Sequence, residues 1–184
     1  LVRLVRLTTE TLQGIPSIVY GLFGMLFFVT KLHWGYSMIA GAFTLAIMVL
    51  PVIMRTTEEA LIAVPDSYRE GSFGLGAGKM RTVFRVILPT AVPGIMSGVI
   101  LAIGRIVGES AALIFTSGSG HSIPGALAGS GSSAATLTVH MYILSNEGLH
   151  VNEAFASAVV LLALTFIINL ISDLIERHIA KKKG

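Results

Sequence analysis

Four apolar stretches, residues 15–30, 36–54, 93–115 and 155–171 with its flanks, recur along this 184-residue chain. A helix crossing a bilayer core of about 30 Å needs about 20 apolar residues, within a range of about 17–25. Backbone surrounded by lipid must also satisfy its own N–H and C=O groups, which leaves only helices and closed barrels. All four stretches qualify as spans, the first a little short on its own. A soluble helical core rarely needs four such runs in a chain of this size. Charged residues are 12% of the sequence, against about 25% in soluble domains, and the mean hydropathy is +0.80. The expected fold is all-α: a polytopic membrane bundle of about four transmembrane helices.

The chain has no cysteine, so disulfides and thiolate metal sites are excluded. The N-terminal residues do not read as a secretory signal. Leu1, Leu4 and Leu7 alternate with Arg3 and Arg6, which suits an amphipathic turn lying on a membrane surface. The sequence does not begin with Met, which leaves open both a short natural chain and a fragment of a longer one.

Charge gives the expected orientation, because cytoplasmic flanks collect Lys and Arg. Arg3 and Arg6 precede the first span, and Arg55, Arg69, Lys79, Arg81 and Arg85 lie between the second and third. Arg177, Lys181, Lys182 and Lys183 follow the fourth. Those eleven cations share one alternating side; Lys31 alone is on the other, and Arg105 is inside the third span. Both chain ends and the loop over residues 55–92 are therefore expected to face the cytoplasm. His33, Trp34 and Tyr36 sit where an external interfacial belt belongs. The external loop, residues 116–150, opens as a Gly/Ser-rich linker and continues through AATLTVHMYILS as a short helix at or dipping into the membrane surface. Its histidines, His121, His140 and His150, are too scattered to form a metal site.

The loop between the second and third spans contains GLGAGK, residues 74–79. A phosphate-cradling loop needs G-x-x-x-x-G-K-[ST] between a strand and a helix. Here Phe73 stands at the first glycine, Met80 stands at the hydroxyl, and no strand precedes, so nucleotide binding is excluded. The sequence instead suggests two short helices and a hinge. Thr56 to Glu59 reads as a capping box for a turn that Pro65 ends. Asp66 reads as the cap of a helix from Ser67 to about Leu75. Glycines 74, 76 and 78 allow a sharp turn and close approach of another protein. A second helix runs from Lys79 to about Leu88, basic on one side and apolar on the other, and is ended by Pro89 and Pro93. Two readings stay open: an amphipathic connector on the inner leaflet, or a docking element for a soluble partner.

Glu70, Gly76, Leu88 and Pro89 fall at the spacing of the EAA loop of ABC importer permeases, E-A-A-x3-G-x9-I-x-L-P; Gly71, Ser72 and Val86 depart from it. With GIPSIVYGLFG at 14–24, RTTEEALIAVP at 55–65 and PGIMSGVILAIGRIVGESAALIFTSG at 93–118, most of the chain resembles the C-terminal two-thirds of the PstA-type permeases of phosphate importers. The resemblance implies a single permease domain over residues 1–184, of the MetI-like type I fold without its N-terminal helices. It implies a multi-pass protein of the prokaryotic inner membrane, with no catalytic residue and no cofactor or metal of its own. The implied partners are ATP-binding subunits seated on the 55–92 loop, a second permease subunit, an external phosphate-binding protein and membrane lipid, with no nucleic acid. Glu70, Gly76, Leu88 and Pro89 would couple to the ATPase.

Arg105 and Glu109 fall inside the third span, where a central charge costs about 2.5–3.5 kcal/mol. Four residues apart, they are expected on one helix face. They read either as a mutually neutralising pair between helices or as the lining of a substrate path. In the second reading the guanidinium attracts an oxyanion and the carboxylate accepts a hydrogen bond from a protonated phosphate oxygen. Arg55 and Glu58 are a candidate second pair, with helix-end and topology readings equally open. Gly21-x-x-Gly24 and Ser97-Gly98 permit close helix approach, and Asn169 is a candidate for a bond across helices. The function expected is transport of inorganic phosphate driven by ATP hydrolysis in partner subunits. The alternatives are a permease for molybdate or sulfate, or an ion-coupled secondary transporter.

Overall fold

A computed structural model of the protein describes residues 2–120, 132–148 and 150–181. The chain begins with α1 (Val2–Gln13), whose exposed Leu4 and Leu7 give it an apolar face beside Arg3 and Arg6. Gly14 and Pro16 stop it. Pro16 is extended, with φ −60° and ψ 144°, and opens α2 (Ser17–Gly24), which runs on through a π-helical segment, Met25–Lys31. The two halves meet at 99°. If Ser17–Lys31 runs along the bilayer normal, α1 lies nearly in the membrane plane, as its amphipathic sequence suggests. At a rise of about 1.5 Å per residue Ser17–Lys31 is shorter than a full bilayer core.

Among the described residues three helices are long and apolar enough to cross a membrane alone. The first is α3 (Met38–Ile62), capped by the Ser37 hydroxyl, which accepts from the Ala40 amide. It continues straight through the expected capping box. Thr56 lies in mid-helix, its hydroxyl donating to the Val52 and Ile53 carbonyls, so the intrahelical ladder already satisfies what a cap would have satisfied. After Pro65 comes α4 (Asp66–Gly74). Asp66 is its first residue rather than its cap, and its carboxylate pairs with Arg69 one turn on.

The second long helix is a single rod, Lys79–Val107. It comprises α5 (Lys79–Thr82), a π-helical segment Val83–Ile87 and α6 (Leu88–Val107). Pro89 was expected to end a short helix and does not. A proline in mid-helix removes a donor and crowds the carbonyl four residues back. Here the widened π turn just before Pro89 loosens that stretch of backbone. The expected third span also stops early: α6 ends at Val107 and the chain breaks over Gly108–Ser110 before the short α7 (Ala111–Ile114).

Beyond the break, α8 (Leu137–Glu147) is the short helix expected from the external loop, ending at Gly148 with φ +66°. The third long helix, α9 (Val151–Lys181), packs on α6 and α8 and leaves most of its apolar side chains exposed. Asn169 is among its exposed residues and makes no bond across helices among the described residues. His121 lies outside the described residues, and those residues hold no cluster able to bind a metal.

Glycine sets the helix spacing where expected. A Cβ at Gly98 would come within 2.0 Å of the Thr56 hydroxyl, and one at Gly94 within 2.8 Å of the Ala60 Cβ. A Cβ at Gly21 would lie 2.8 Å from the Ala112 backbone, and one at Gly24 would lie 2.2 Å from Thr44 Oγ1. The antiparallel α3–α6 pair is thus closely packed, and α7 is pressed against α2. At the end where α3 begins, Trp34 stacks on Phe28 at 5.3 Å and packs on Phe43 at 5.4 Å.

Candidate functional site

Two regions hold the site residues, one at the end of the bundle where α3 stops and one at mid-depth. At the end of the bundle, the Arg69 guanidinium donates to the carbonyls of Val64 (3.2 Å) and Leu61 (3.0 Å), tying α4 to the terminus of α3. The hydroxyls of Ser72 and Thr82 lie 2.8 Å apart and tie α4 to α5, with Thr82 fully buried. Val64, Ile87 and Ala91 form an apolar base beneath. The loop is therefore fixed at its root and open at its tip.

At that tip Gly76 has φ +79°, a conformation L side chains rarely adopt. A Cβ at Gly71, Gly74, Gly76 or Gly78 would meet nothing within 4 Å. Internal packing therefore does not explain these four glycines. Leu75, 91% exposed, and Met80, 71% exposed, flank the turn with Phe73 and Phe84. Glu70 and Gly76 come together on this exposed loop. Leu88 and Pro89 do not join them: they open α6, half-buried, beside the apolar base. No sequence signal marked Arg69, Ser72 or Thr82 as the residues that fix the loop, because each uses an ordinary polar side chain on backbone or on another hydroxyl.

Beside the loop, the expected Arg55–Glu58 pair is not formed. Arg55 Nε donates to Glu59 at 2.9 Å, one turn along α3, and its Nη1 reaches Gln13 at 3.3 Å. Glu58 is turned instead to α1, where Arg6 donates to it from Nε at 3.1 Å and from Nη2. The hydrogen bond to Glu58, reinforced by its charge, raises the Arg6 pKa above its ordinary value. Positions 55 and 58 share one helix face, yet α1 supplies a competing cation for Glu58, which a count along α3 alone does not reveal. A cleft of about 150 Å³ lies among Arg6, Glu10, Arg55, Glu58 and Glu59.

Mid-depth is set by the α3–α6 register. Gly94 faces Ala60 and Gly98 faces Thr56, and the same antiparallel step carried on places Arg105 opposite Val49, near the middle of α3. Tyr20, Met48, Val49 and Ala102 form a buried cluster at this level. Arg105 is half-buried in the last turn of α6 and makes no hydrogen bond or ion pair among the described residues.

Glu109 is not its partner. The helix has ended by then, and the Glu109 side chain, 9% exposed, turns to accept the Ala112 amide at 3.1 Å, capping α7. Its own carbonyl accepts the Thr138 hydroxyl at 2.9 Å. The expectation of a shared helix face assumed an unbroken helix across Gly108. Among the described residues the arrangement leaves the Arg105 guanidinium without an ion pair at mid-depth beside a helix break, where it can bind an anion by charge and by its planar fork of donors.

The family model described as "Binding-protein-dependent transport system inner membrane component" matches residues 1–184. Over 114 residues the chain is 47% identical to a probable ABC transporter permease protein, YqgI, of Bacillus subtilis strain 168, covering 62% of this chain and 39% of that protein. It is 34% identical over 181 residues to the phosphate transport system permease protein PstA 1 of Mycobacterium tuberculosis (strain CDC 1551 / Oshkosh), covering 98% of this chain and 59% of the relative. The chain thus spans about two-fifths to three-fifths of the length of these relatives. Among solved structures, an inward-facing form of the MetNI methionine ABC transporter matches with a TM-score of 0.78 at 25% identity, covering 96% of this chain and 74% of that one.

Proposed function

The chain belongs to the binding-protein-dependent transport system inner membrane components, and on that premise we propose that it forms part of a permease subunit carrying inorganic phosphate into the cell. The observation that carries this reading is Arg105: a cation at mid-depth with no ion pair among the described residues, where an unused charge costs about 2.5–3.5 kcal/mol. Transporters place substrate sites near the bilayer midplane, at interrupted helices. The likeness to PstA permeases over nearly the whole chain supports phosphate as the anion.

The subunit is not catalytic; ATP hydrolysis in partner subunits drives it. Those subunits seat on the tip around Glu70 and Gly76, where the glycines leave open space and Leu75 and Met80 offer apolar contact. Leu88 and Pro89 pass the movement into the rod that ends at Arg105. Arg55 and Glu58 act as a clasp between α1 and α3 at the inner mouth. A second permease subunit and an external phosphate-binding protein complete the transporter. The end carrying Arg6, Arg55, Arg69 and Lys79 faces the cytoplasm, as do both ends of this chain, and the end carrying Trp34 and Tyr36 faces outward.

The test is uptake by the assembled transporter in proteoliposomes, with sulfate and molybdate as competitors. Labelled phosphate is expected to enter on ATP addition, unaffected by either competitor in tenfold excess. Preferential entry of sulfate or molybdate would overturn the substrate assignment.

A further inference from the structure

An unbroken α-helix would satisfy the Glu109 carbonyl with the amide of Leu113, four residues on. A break leaves carbonyls on one side and amides on the other without intrahelical partners, and here one of each is held by a side chain. The Glu109 carboxylate takes the Ala112 amide, and the Thr138 hydroxyl, from α8, donates to the Glu109 carbonyl at 2.9 Å. Thr138 is 3% exposed, so water is not a ready substitute. The Thr136 hydroxyl, which caps α8 by accepting from Val139, lies 2.9 Å from that of Thr138 and fixes it in turn.

We infer that Thr138 is a positioning residue: its hydrogen bond holds the chain broken between Arg105 and Glu109 and thereby keeps Arg105 free to take an anion. Without that donor, re-forming the helix across Gly108–Ser110 would satisfy the buried carbonyl from the Leu113 amide. The same change removes Glu109 from its cap. It also returns Glu109 to the position four residues after Arg105, where the two side chains are neighbours. In that low-dielectric setting the carboxylate neutralises the guanidinium and competes with any anion. Gly108 makes the segment easy to break, because glycine is disfavoured in a helix by about 1 kcal/mol. Thr138 selects which state is occupied, and it does so from α8, which packs against α7 and α9. The inference rests on the reading of Arg105 as the anion's cation.

Three variants in the assembled transporter test it: Thr138→Val, which keeps the shape without the hydroxyl, Thr138→Ala, and Thr138→Ser, which keeps the hydroxyl. Thr138→Val and Thr138→Ala are expected to raise the phosphate concentration for half-maximal uptake roughly tenfold, the scale of one net hydrogen bond. Thr138→Ser should stay near the unmodified protein. Adding Glu109→Gln to Thr138→Val should bring half-saturation back down, because an amide cannot neutralise Arg105. Unchanged half-saturation in both hydroxyl-free variants, or no recovery with Glu109→Gln, overturns the proposal. So does loss of assembly in both, which would make Thr138 a folding residue only. A readout independent of substrate uses the absence of native cysteine. Spin labels at Leu101→Cys and Ser119→Cys straddle the break, and Thr138→Val should shift their distance distribution. An unchanged distribution overturns the role of Thr138. A shifted distribution together with normal uptake in Arg105→Gln would instead defeat the anion reading on which the role depends.

Discussion

Gly98 of α6 sits so close to Thr56 of α3 that a Cβ at position 98 would lie 2.0 Å from the Thr56 hydroxyl oxygen and 2.6 Å from its Cβ. The hydroxyl is engaged with the Val52 and Ile53 carbonyls, so it is not a loose end that can swing away. Alanine is favoured over glycine in a helix by about 1 kcal/mol, while overpacking costs about 1–3 kcal/mol. Gly98→Ala is therefore expected to destabilise the α3–α6 pair, by up to about 2 kcal/mol. Gly104→Ala, in the same helix, meets nothing within 4 Å and should be neutral or slightly stabilising. Thermal unfolding of the two variants in detergent checks the contrast; equal loss in both would refute the packing account.

The Arg6–Glu58 contact predicts a charge-swap result. Both side chains are partly solvated, so the pair contributes little to stability. Its value lies in holding α1 against α3. Arg6→Glu places a third carboxylate near Glu10 and Glu58 and should loosen α1, seen as faster proteolysis in the α1–α2 linker. Arg6→Glu with Glu58→Arg should restore protection. Failure of the double variant to recover would mean that α1 is held by its apolar face alone.

At the loop tip, Gly76 and Gly74 make a matched comparison. Neither would bring a Cβ near another atom, but only Gly76 has a positive φ. A β-branched residue there costs on the order of 1–3 kcal/mol of local strain. Gly76→Val should uncouple phosphate-stimulated ATP hydrolysis from transport without reducing membrane insertion. Gly74→Ala probes intermolecular space alone: reduced ATPase binding would mark a contact, and normal binding would confine the tip's requirement to the turn at Gly76.

Much of this was legible in the sequence. The apolar runs gave the long helices, and the small residues at 21, 24 and 98 gave the close approaches, because composition and period act locally. The glycine cluster at 74, 76 and 78 marked a sharp turn, and the positive φ falls at Gly76. What escaped was decided by distant residues. Glu58 chose Arg6 over Arg55 because α1 folds back to within reach. Glu109 turned from Arg105 to the Ala112 amide, and its carbonyl to the Thr138 hydroxyl of α8, across a helix break that spacing along one helix does not show. Pro89 failed to stop its helix because a π turn accommodates it, and no residue pattern announces a π turn.

Sidedness has a direct check. Single cysteines at Ser72 and Ser119, in a chain with none of its own, should label with an impermeant thiol reagent from opposite faces of sealed vesicles. Ser72 is expected on the cytoplasmic face, with the cation-rich end. Labelling of both from one face would overturn the orientation.

Arg105 separates stability from function most sharply. It has no ion pair or hydrogen bond among the described residues, so Arg105→Gln breaks no internal contact and strands no partner charge. Removing an unpaired charge from mid-depth should leave the assembled complex as stable or more so, the cost avoided being about 2.5–3.5 kcal/mol on insertion scales. Transport should move the other way. Hydrogen bonds to a charged group contribute about 1.5–3 kcal/mol, so losing the guanidinium should slow initial phosphate uptake roughly ten- to hundredfold. Arg105→Lys keeps the charge but not the planar fork and should fall between. Measured side by side, unfolding temperature and uptake should therefore diverge. A variant that loses stability and uptake together would make Arg105 a structural residue, and one with normal uptake would remove it from the path.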